Sequence, residues 1–179
     1  RETNLKPKIL VSCTPEEYGD VLEKEIPITE DTRLAPVNLY AASKTAQDVV
    51  CQAYAASYGF KVIRTKAFNH EGPRRKTLGA ISSFAYQIAR IEKGLQTPVI
   101  KVGNLEAKRN FTDVRDMVEA YYLAIEKGVP GELYLIGSNQ IYTIKECLEM
   151  LINLSPIKDR IKYEVDPKAA KGEYSPSIA

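Results

Sequence analysis

Asn38-Leu-Tyr-Ala-Ala-Ser-Lys44 opens a run in which Ala42, Ala46, Val49, Val50 and Ala53 recur at helical spacing as far as Tyr58. Asn38 starts this helix, and Gly59 is placed to stop it. Residues four apart share one face of a helix, so Tyr40 and Lys44 point at one site. An ammonium beside a phenol stabilises the phenolate and draws its pKa from about 10 toward neutrality. A tyrosine so placed exchanges a proton with a hydroxyl. With 11 tyrosines in the chain, about one Tyr-x-x-x-Lys pair arises by chance, so the neighbouring segments carry the reading.

Upstream, Lys8-Ile-Leu-Val-Ser-Cys13 is a short apolar run of the buried-strand type, and Thr14 follows at its end. A charged, proline-bearing loop runs from Glu16 to Val37. Downstream, Lys61 to Phe68 reads as a second strand. Asn69 to Thr77 is a loop with Gly72-Pro73 and three consecutive cations, Arg74, Arg75 and Lys76. An amphipathic helix follows from Ile81 to Gly94, then a strand from Pro98 to Val102 and a turn at Gly103-Asn104. Thr112 or Asp113 caps a helix from Val114 to Lys127, with Asp116 as a first-turn charge. Glu132 to Ile136 is a strand, Thr143 caps a helix to about Leu154, and Ile161 to Val165 is a last strand. Tyr121 and Tyr122 are read as core or interface aromatics, and Lys168 to Ala179 as a loose end. Alternating strands and helices imply an α/β domain with a mainly parallel sheet.

Composition narrows the function classes. The 179 residues suffice for one domain with a core, and 44% hydrophobic with 27% charged residues is ordinary for a globular protein. A net charge of +2 gives no drive toward nucleic acid or membrane as a partner. No apolar run approaches the ~18 residues of a membrane span, and with no n-region followed by an h-region in view, no secretory signal is expected. Cys13, Cys51 and Cys147 form no CxxC pair, which argues against a zinc site or a disulfide framework. A reducing cytoplasm is the expected compartment.

Four segments, in order, resemble the extended short-chain dehydrogenases that act on nucleotide sugars. They are Thr14-Pro-Glu-Glu-Tyr-Gly19, Tyr40-Ala-Ala-Ser-Lys44, Phe68-Asn-His-Glu-Gly-Pro-Arg-Arg75, and Gly103 through Asp116. The third is similar to the GDP-mannose 4,6-dehydratases; the fourth is equally similar to the GDP-4-keto-6-deoxymannose reductases. The resemblance implies the C-terminal part of a Rossmann-type doubly wound parallel sheet plus a small α/β substrate-binding lobe. It divides the chain into residues 1–75, carrying the catalytic helix, and 76–179, mostly the nucleotide-sugar lobe with returning sheet segments.

By resemblance, Thr14, Glu16, Tyr40 and Lys44 are catalytic. Tyr40, Lys44, His70 and Arg75 contact NADP or NAD, and Asn69 and Arg109 hold the sugar and its diphosphate. Glu16 would exchange protons at C5 and C6 of the sugar, and Tyr40 would serve the C4 hydroxyl. Arginine suits a diphosphate because its planar fork bonds two oxygens at once. Pro15 and Asn110 depart from the family pattern; a proline beside Thr14 is expected to displace Thr14 or Glu16.

The ten glycines include no Gly-x-x-Gly-x-x-Gly loop. The resemblance places that loop and its strands before Arg1, so these residues alone are expected to bind dinucleotide poorly. The implied function is oxidation at C4, water elimination across C5–C6 and hydride return to C6. The alternatives are a 4-keto-sugar reductase or sugar-nucleotide epimerase, and a non-catalytic remnant that binds a nucleotide sugar or a partner subunit. The Ala42, Ala46, Ala53, Ala56 face permits close helix packing, and the resemblance implies a homodimer or homotetramer.

Overall fold

The computed structural model describes residues 5–166. The expected loose end from Lys168 lies outside them. Strand β1 (Lys8–Cys13) leads through two short 3₁₀ turns to helix α1 (Leu39–Tyr58) and strand β2 (Lys61–Ala67). Then follow β3 (His70–Glu71), α2 (Ala80–Glu92), β4 (Val99–Val102), β5 (Lys108–Asn110) and β6 (Thr112–Asp113). Helix α3 (Val114–Lys127), β7 (Leu133–Ile136), β8 (Ile141–Thr143), α4 (Ile144–Asn153) and β9 (Lys162–Val165) complete the order.

The bounds of α1 follow from its ends. The Asn38 side chain accepts the Ala41 N–H at 2.8 Å, and Gly59 closes the helix in the left-handed conformation at φ 66. Strands β1, β2 and β7 form a parallel sheet in the order β1-β2-β7. Its registers run from Lys8 opposite Lys61 to Cys13 opposite Lys66, and from Arg64 opposite Leu133 to Ala67 opposite Ile136. Side chains alternate across a strand. Val11, Cys13 and Val62 pack beneath Cys51 and Ala55 of α1, whereas Ser12 meets Tyr121 of α3. The sheet thus carries a helix on each face, the doubly wound arrangement, confirming the expected parallel α/β fold.

A second core lies under α2, β4 and α4, where Phe84, Ile88, Ile91, Ile100, Val102, Ile144 and Leu148 are buried together. β4 pairs with β9 in parallel, and β5 with β8 antiparallel. A two-residue parallel bridge, β3 to β6, sets His70 opposite Thr112 and Glu71 opposite Asp113. Gly72 permits it: a Cβ there would lie 2.3 Å from the Val114 side chain. Among the described residues, no helix is long and apolar enough to cross a membrane.

Candidate active site

Parallel strands leave their carboxyl ends along one edge of the sheet, where ligands of such folds bind. Here β1 runs into Thr14, and β2 runs into Phe68, Asn69 and His70. A cleft of about 220 Å³ opens at that edge, lined among others by Ser12, Thr14, Glu16, Tyr40, Asn69, His70, Glu71, Arg75 and Tyr121.

Thr14 begins a 3₁₀ turn over Pro15–Tyr18 and caps it. Its hydroxyl oxygen accepts the Glu16 N–H at 3.4 Å, while its own N–H donates to the Glu17 carboxylate at 3.0 Å. Pro15 occupies the first turn, where a missing N–H leaves no partner unsatisfied. Thr14 and Glu16, on either side of Pro15, both line the cleft. Gly19 ends the turn at φ 64, and a Cβ there would sit 1.8 Å from the Ala35 carbonyl oxygen. The following loop lies against this glycine backbone.

Tyr40 is 54% exposed at the start of α1. Its phenol and the Thr14 hydroxyl face the same cleft. Burial first, and the Glu16 charge second, push the phenol above its ordinary value, against the lowering effect of the Thr14 side chain. This corrects the expectation that Lys44 draws Tyr40 toward neutrality. The Lys44 ammonium instead donates to the Ser12 carbonyl at 3.0 Å and to the Gln47 side chain at 3.3 Å. Lys44 is not itself among the lining residues, but its ammonium holds the carbonyl of Ser12, which is.

Glu16 faces the same cleft, and its Oε2 accepts the Asn38 side-chain N–H at 3.1 Å. His70 Nδ1 lies 2.9 Å from the Phe68 carbonyl. A carbonyl only accepts, so Nδ1 carries the proton and Nε2 is left as an acceptor when the ring is neutral. Arg75 pairs with Glu71 at 3.3 Å and donates to the His70 carbonyl at 3.2 Å. Burial raises the Glu71 carboxyl, with Arg75 opposing.

The structure thus gathers Thr14, Glu16, Tyr40, Asn69, His70 and Arg75 at one cleft. Arg109 is not brought there: it lies in β5 and donates to the Lys108 carbonyl at 2.7 Å. Its neighbour Asn110 is buried and pins the 138–140 turn, accepting the Ser138 N–H at 3.2 Å and donating to the Gln140 carbonyl at 3.2 Å. Ser12, Glu71 and Tyr121 line the cleft without having been singled out for it. Ser12 was legible in part, because a polar residue in an apolar strand marks a distinct face. Tyr121, 3.2 Å from the Ser12 hydroxyl, gives no local signal.

Residues 1–176 match the family model described as GDP-mannose 4,6 dehydratase. The GDP-6-deoxy-D-mannose reductase of Pseudomonas aeruginosa is 36% identical over 141 residues, covering 79% of this chain and 46% of that protein. Among solved structures, RMD from Pseudomonas aeruginosa, complexed with NADPH, superposes with a TM-score of 0.85 at 33% identity over 91% of this chain and 54% of that one. The Bacillus anthracis dTDP-glucose 4,6-dehydratase, in complex with NAD, gives a TM-score of 0.75 at 30% identity over 89% of this chain and 50% of that one. The chain spans about half the length of the relatives it matches.

Proposed function

We propose a function from one premise: the chain belongs to the GDP-mannose 4,6-dehydratase family. It forms the catalytic and sugar-binding portion of an NADP- or NAD-dependent nucleotide-sugar enzyme that converts GDP-mannose, or a related nucleotide sugar, by 4,6-dehydration. The observation that carries this reading is a carboxylate, Glu16, in the same cleft as the Thr14 hydroxyl and the Tyr40 phenol.

The cleft's donor set fits the nicotinamide end of a dinucleotide: hydroxyl, phenol and an imidazole acceptor converge at the carboxyl ends of parallel strands. His70 and Arg75 would hold it, with Lys44 toward its ribose. A bound nicotinamide would supply the redox chemistry, as the acceptor of hydride from C4 and its donor at C6. Tyr40 takes the O4 proton as C4 becomes the ketone that persists in the product, that proton balances the one C5 regains when hydride reaches C6, and the Thr14 hydroxyl orients O4 beside it. Oxidation at C4 makes the C5 proton acidic; Glu16 removes it and protonates the departing C6 hydroxyl as water. Asn69 contacts the sugar, and Arg109 serves the diphosphate at the far end of the nucleotide sugar.

A second reading is a 4-keto-sugar nucleotide reductase. The raised Tyr40 phenol favours it, since a protonated phenol at neutral pH is ready to give its proton to a carbonyl oxygen. The experiment uses the protein from its complete reading frame. GDP-mannose with NADP or NAD should lose one water, read by mass spectrometry. A GDP-4-keto-6-deoxy sugar with NADPH should instead consume NADPH if the reductase reading holds. Turnover of neither sugar would leave the non-catalytic remnant.

The division into a catalytic portion, residues 1–75, and a mostly sugar-binding portion, residues 76–179, is supported by the separate core under α2, β4 and α4. Val49, Val50 and Tyr54 stand half exposed on α1, which supports a homodimer or homotetramer through that face. Free thiols at Cys13, Cys51 and Cys147 support a cytoplasmic, reducing compartment.

A further inference from the structure

Beneath the cleft lies a cluster of charges with almost no access to water. Lys66 is 1% exposed, Glu17 0% and Asp48 2%. The Lys66 ammonium stands 3.2 Å from Glu17 Oε2 and 3.3 Å from Asp48 Oδ2. It also sits over the Tyr18 ring, 4.3 Å from the centroid. Cys13, Glu17 and Asp48 place one ligand atom each within 4.8 Å of one another, a cation cage by geometry. The lysine ammonium is the cation bound to its two carboxylates.

Each member leads to a different part of the site. Glu17 uses its other oxygen, Oε1, to accept the Thr14 N–H at 3.0 Å. Asp48 follows Tyr40 and Lys44 at successive four-residue steps on α1, so all three lie on one helix face. Lys66 itself lies on β2, three residues before Asn69. Arg64 also holds Asp48, at 2.9 Å, but its other bond is to the Gly131 carbonyl at 3.1 Å. It makes no bond to the Thr14 turn. Lys66 alone among these groups reaches both the turn that carries Thr14 and the helix that carries Tyr40.

We infer that Lys66 is a positioning residue: through Glu17 and Asp48 it sets the Thr14 hydroxyl against the Tyr40 phenol. This rests on the proposed function, in which those two groups share the sugar O4. Burying an ion pair gains little stability over apolar side chains of like size, whereas its directional bonds define a single geometry. A displacement of one ångström at reacting groups costs about 10²-fold in rate, so a cross-link between the two carriers has a direct catalytic effect.

The test is the double variant Lys66→Met/Glu17→Leu in the protein from its complete reading frame. It removes one charge of each sign and leaves Asp48 paired with Arg64. Its melting temperature should stay near the parent's, its KM should change less than about threefold, and its kcat should fall about 10²-fold. Lys66→Arg, which keeps a cation between the carboxylates, should recover most of that loss. A folded double variant with kcat within about twofold of the parent overturns the inference.

If the double variant does not fold, Glu17→Gln decides. It keeps the acceptor for Thr14 but drops the ionic tie, and should lower kcat at constant KM; an unchanged kcat overturns the inference. If the parent itself turns over neither sugar, the functional reading fails on its own account. Hydrogen exchange then reads the tie directly. The Thr14 amide should lose protection in Lys66→Met, which leaves its Glu17 acceptor in place, while the Val11 and Val62 amides keep theirs. Equal protection at Thr14 overturns the inference.

Discussion

The side-chain amide of Asn38 joins Glu16 to the first turn of α1: Nδ2 donates to Glu16 Oε2 at 3.1 Å, while Oδ1 accepts the Ala41 N–H at 2.8 Å. One residue thus starts the helix that carries Tyr40 and orients the carboxylate that faces it. The two duties separate by substitution. Asn38→Asp keeps a helix-capping oxygen, as aspartate caps about as well as asparagine. It loses the donor to Glu16 and puts two carboxylates side by side. Stability by denaturant titration should change little, and dehydration should fall. Asn38→Ala should lose both, at a cost of about 1 kcal/mol.

The Tyr40 phenol should titrate above 10, read by ultraviolet difference spectra against Tyr40→Phe without nucleotides. Two substitutions should move it in opposite directions. A phenolate would face the Glu16 charge, so Glu16→Gln removes repulsion and lowers the midpoint. The Thr14 side chain favours the phenolate, so Thr14→Val raises it. Tyr40→Phe should lower kcat by about 10²–10⁴-fold with an unchanged fold, since the ring is half exposed.

Cys13 lines the cleft yet should not react. Burial first, with the Asp48 and Glu17 charges behind it, holds its thiol at about 12, so almost none is thiolate at pH 8. Iodoacetamide followed by peptide mapping should leave Cys13 unmodified in the native protein and label it in denaturant. Native labelling at pH 8 would contradict the burial and charge pattern described.

Helix α4 begins with a reciprocal cap, in which Thr143 Oγ1 accepts the Glu146 N–H at 3.1 Å and Glu146 Oε2 accepts the Thr143 N–H at 2.7 Å. The backbone bond first, and the hydroxyl bond second, hold the Glu146 carboxyl below its usual range. A depressed carboxyl contributes stability above its unfolded pKa of about 4.3 and loses it as pH falls through the folded value. The stability difference between the parent and Glu146→Gln should therefore be largest at neutral pH and shrink in acid. Urea titrations at a series of pH values read it.

Leu148 on α4 is fully buried, at 0% exposure, in the core with Ile100 and Phe84. Leu148→Ala should cost about 2–5 kcal/mol, the range for a leucine deleted from a packed core. Calorimetry should show that loss, while the isolated cleft residues keep their titration behaviour.

Much of this architecture was legible along the chain. Helix α1 runs where its apolar spacing, Asn38 and Gly59 place it, and α3 starts at Asp113 as its cap requires. Strands β1 and β2 are short apolar runs, and their order with the helices implies the parallel sheet. Those signals are local, so they can be read without a structure. Thr14, Glu16, Tyr40, Asn69, His70 and Arg75 stand in motifs readable along the chain and meet at one cleft.

Other features had no local signature. Strands His70–Glu71 and Thr112–Asp113 are two residues each and exist only because they pair with one another. Arg109 has the chemistry for a diphosphate, but strand pairing with Tyr142 sets it in β5, outside the cleft's lining. Lys44 has the spacing to act on Tyr40, but a carbonyl on β1 holds its ammonium. Lys66 looks in sequence like one more surface cation of a strand. Its burial depends on carboxylates 49 and 18 positions away, Glu17 and Asp48, which only the packed sheet and helix bring to it. Periodicity and capping, which act over a few residues, were determined by the sequence alone. Which charges face water and which face each other was decided by tertiary structure, because desolvation and Coulomb energy depend on distance in space.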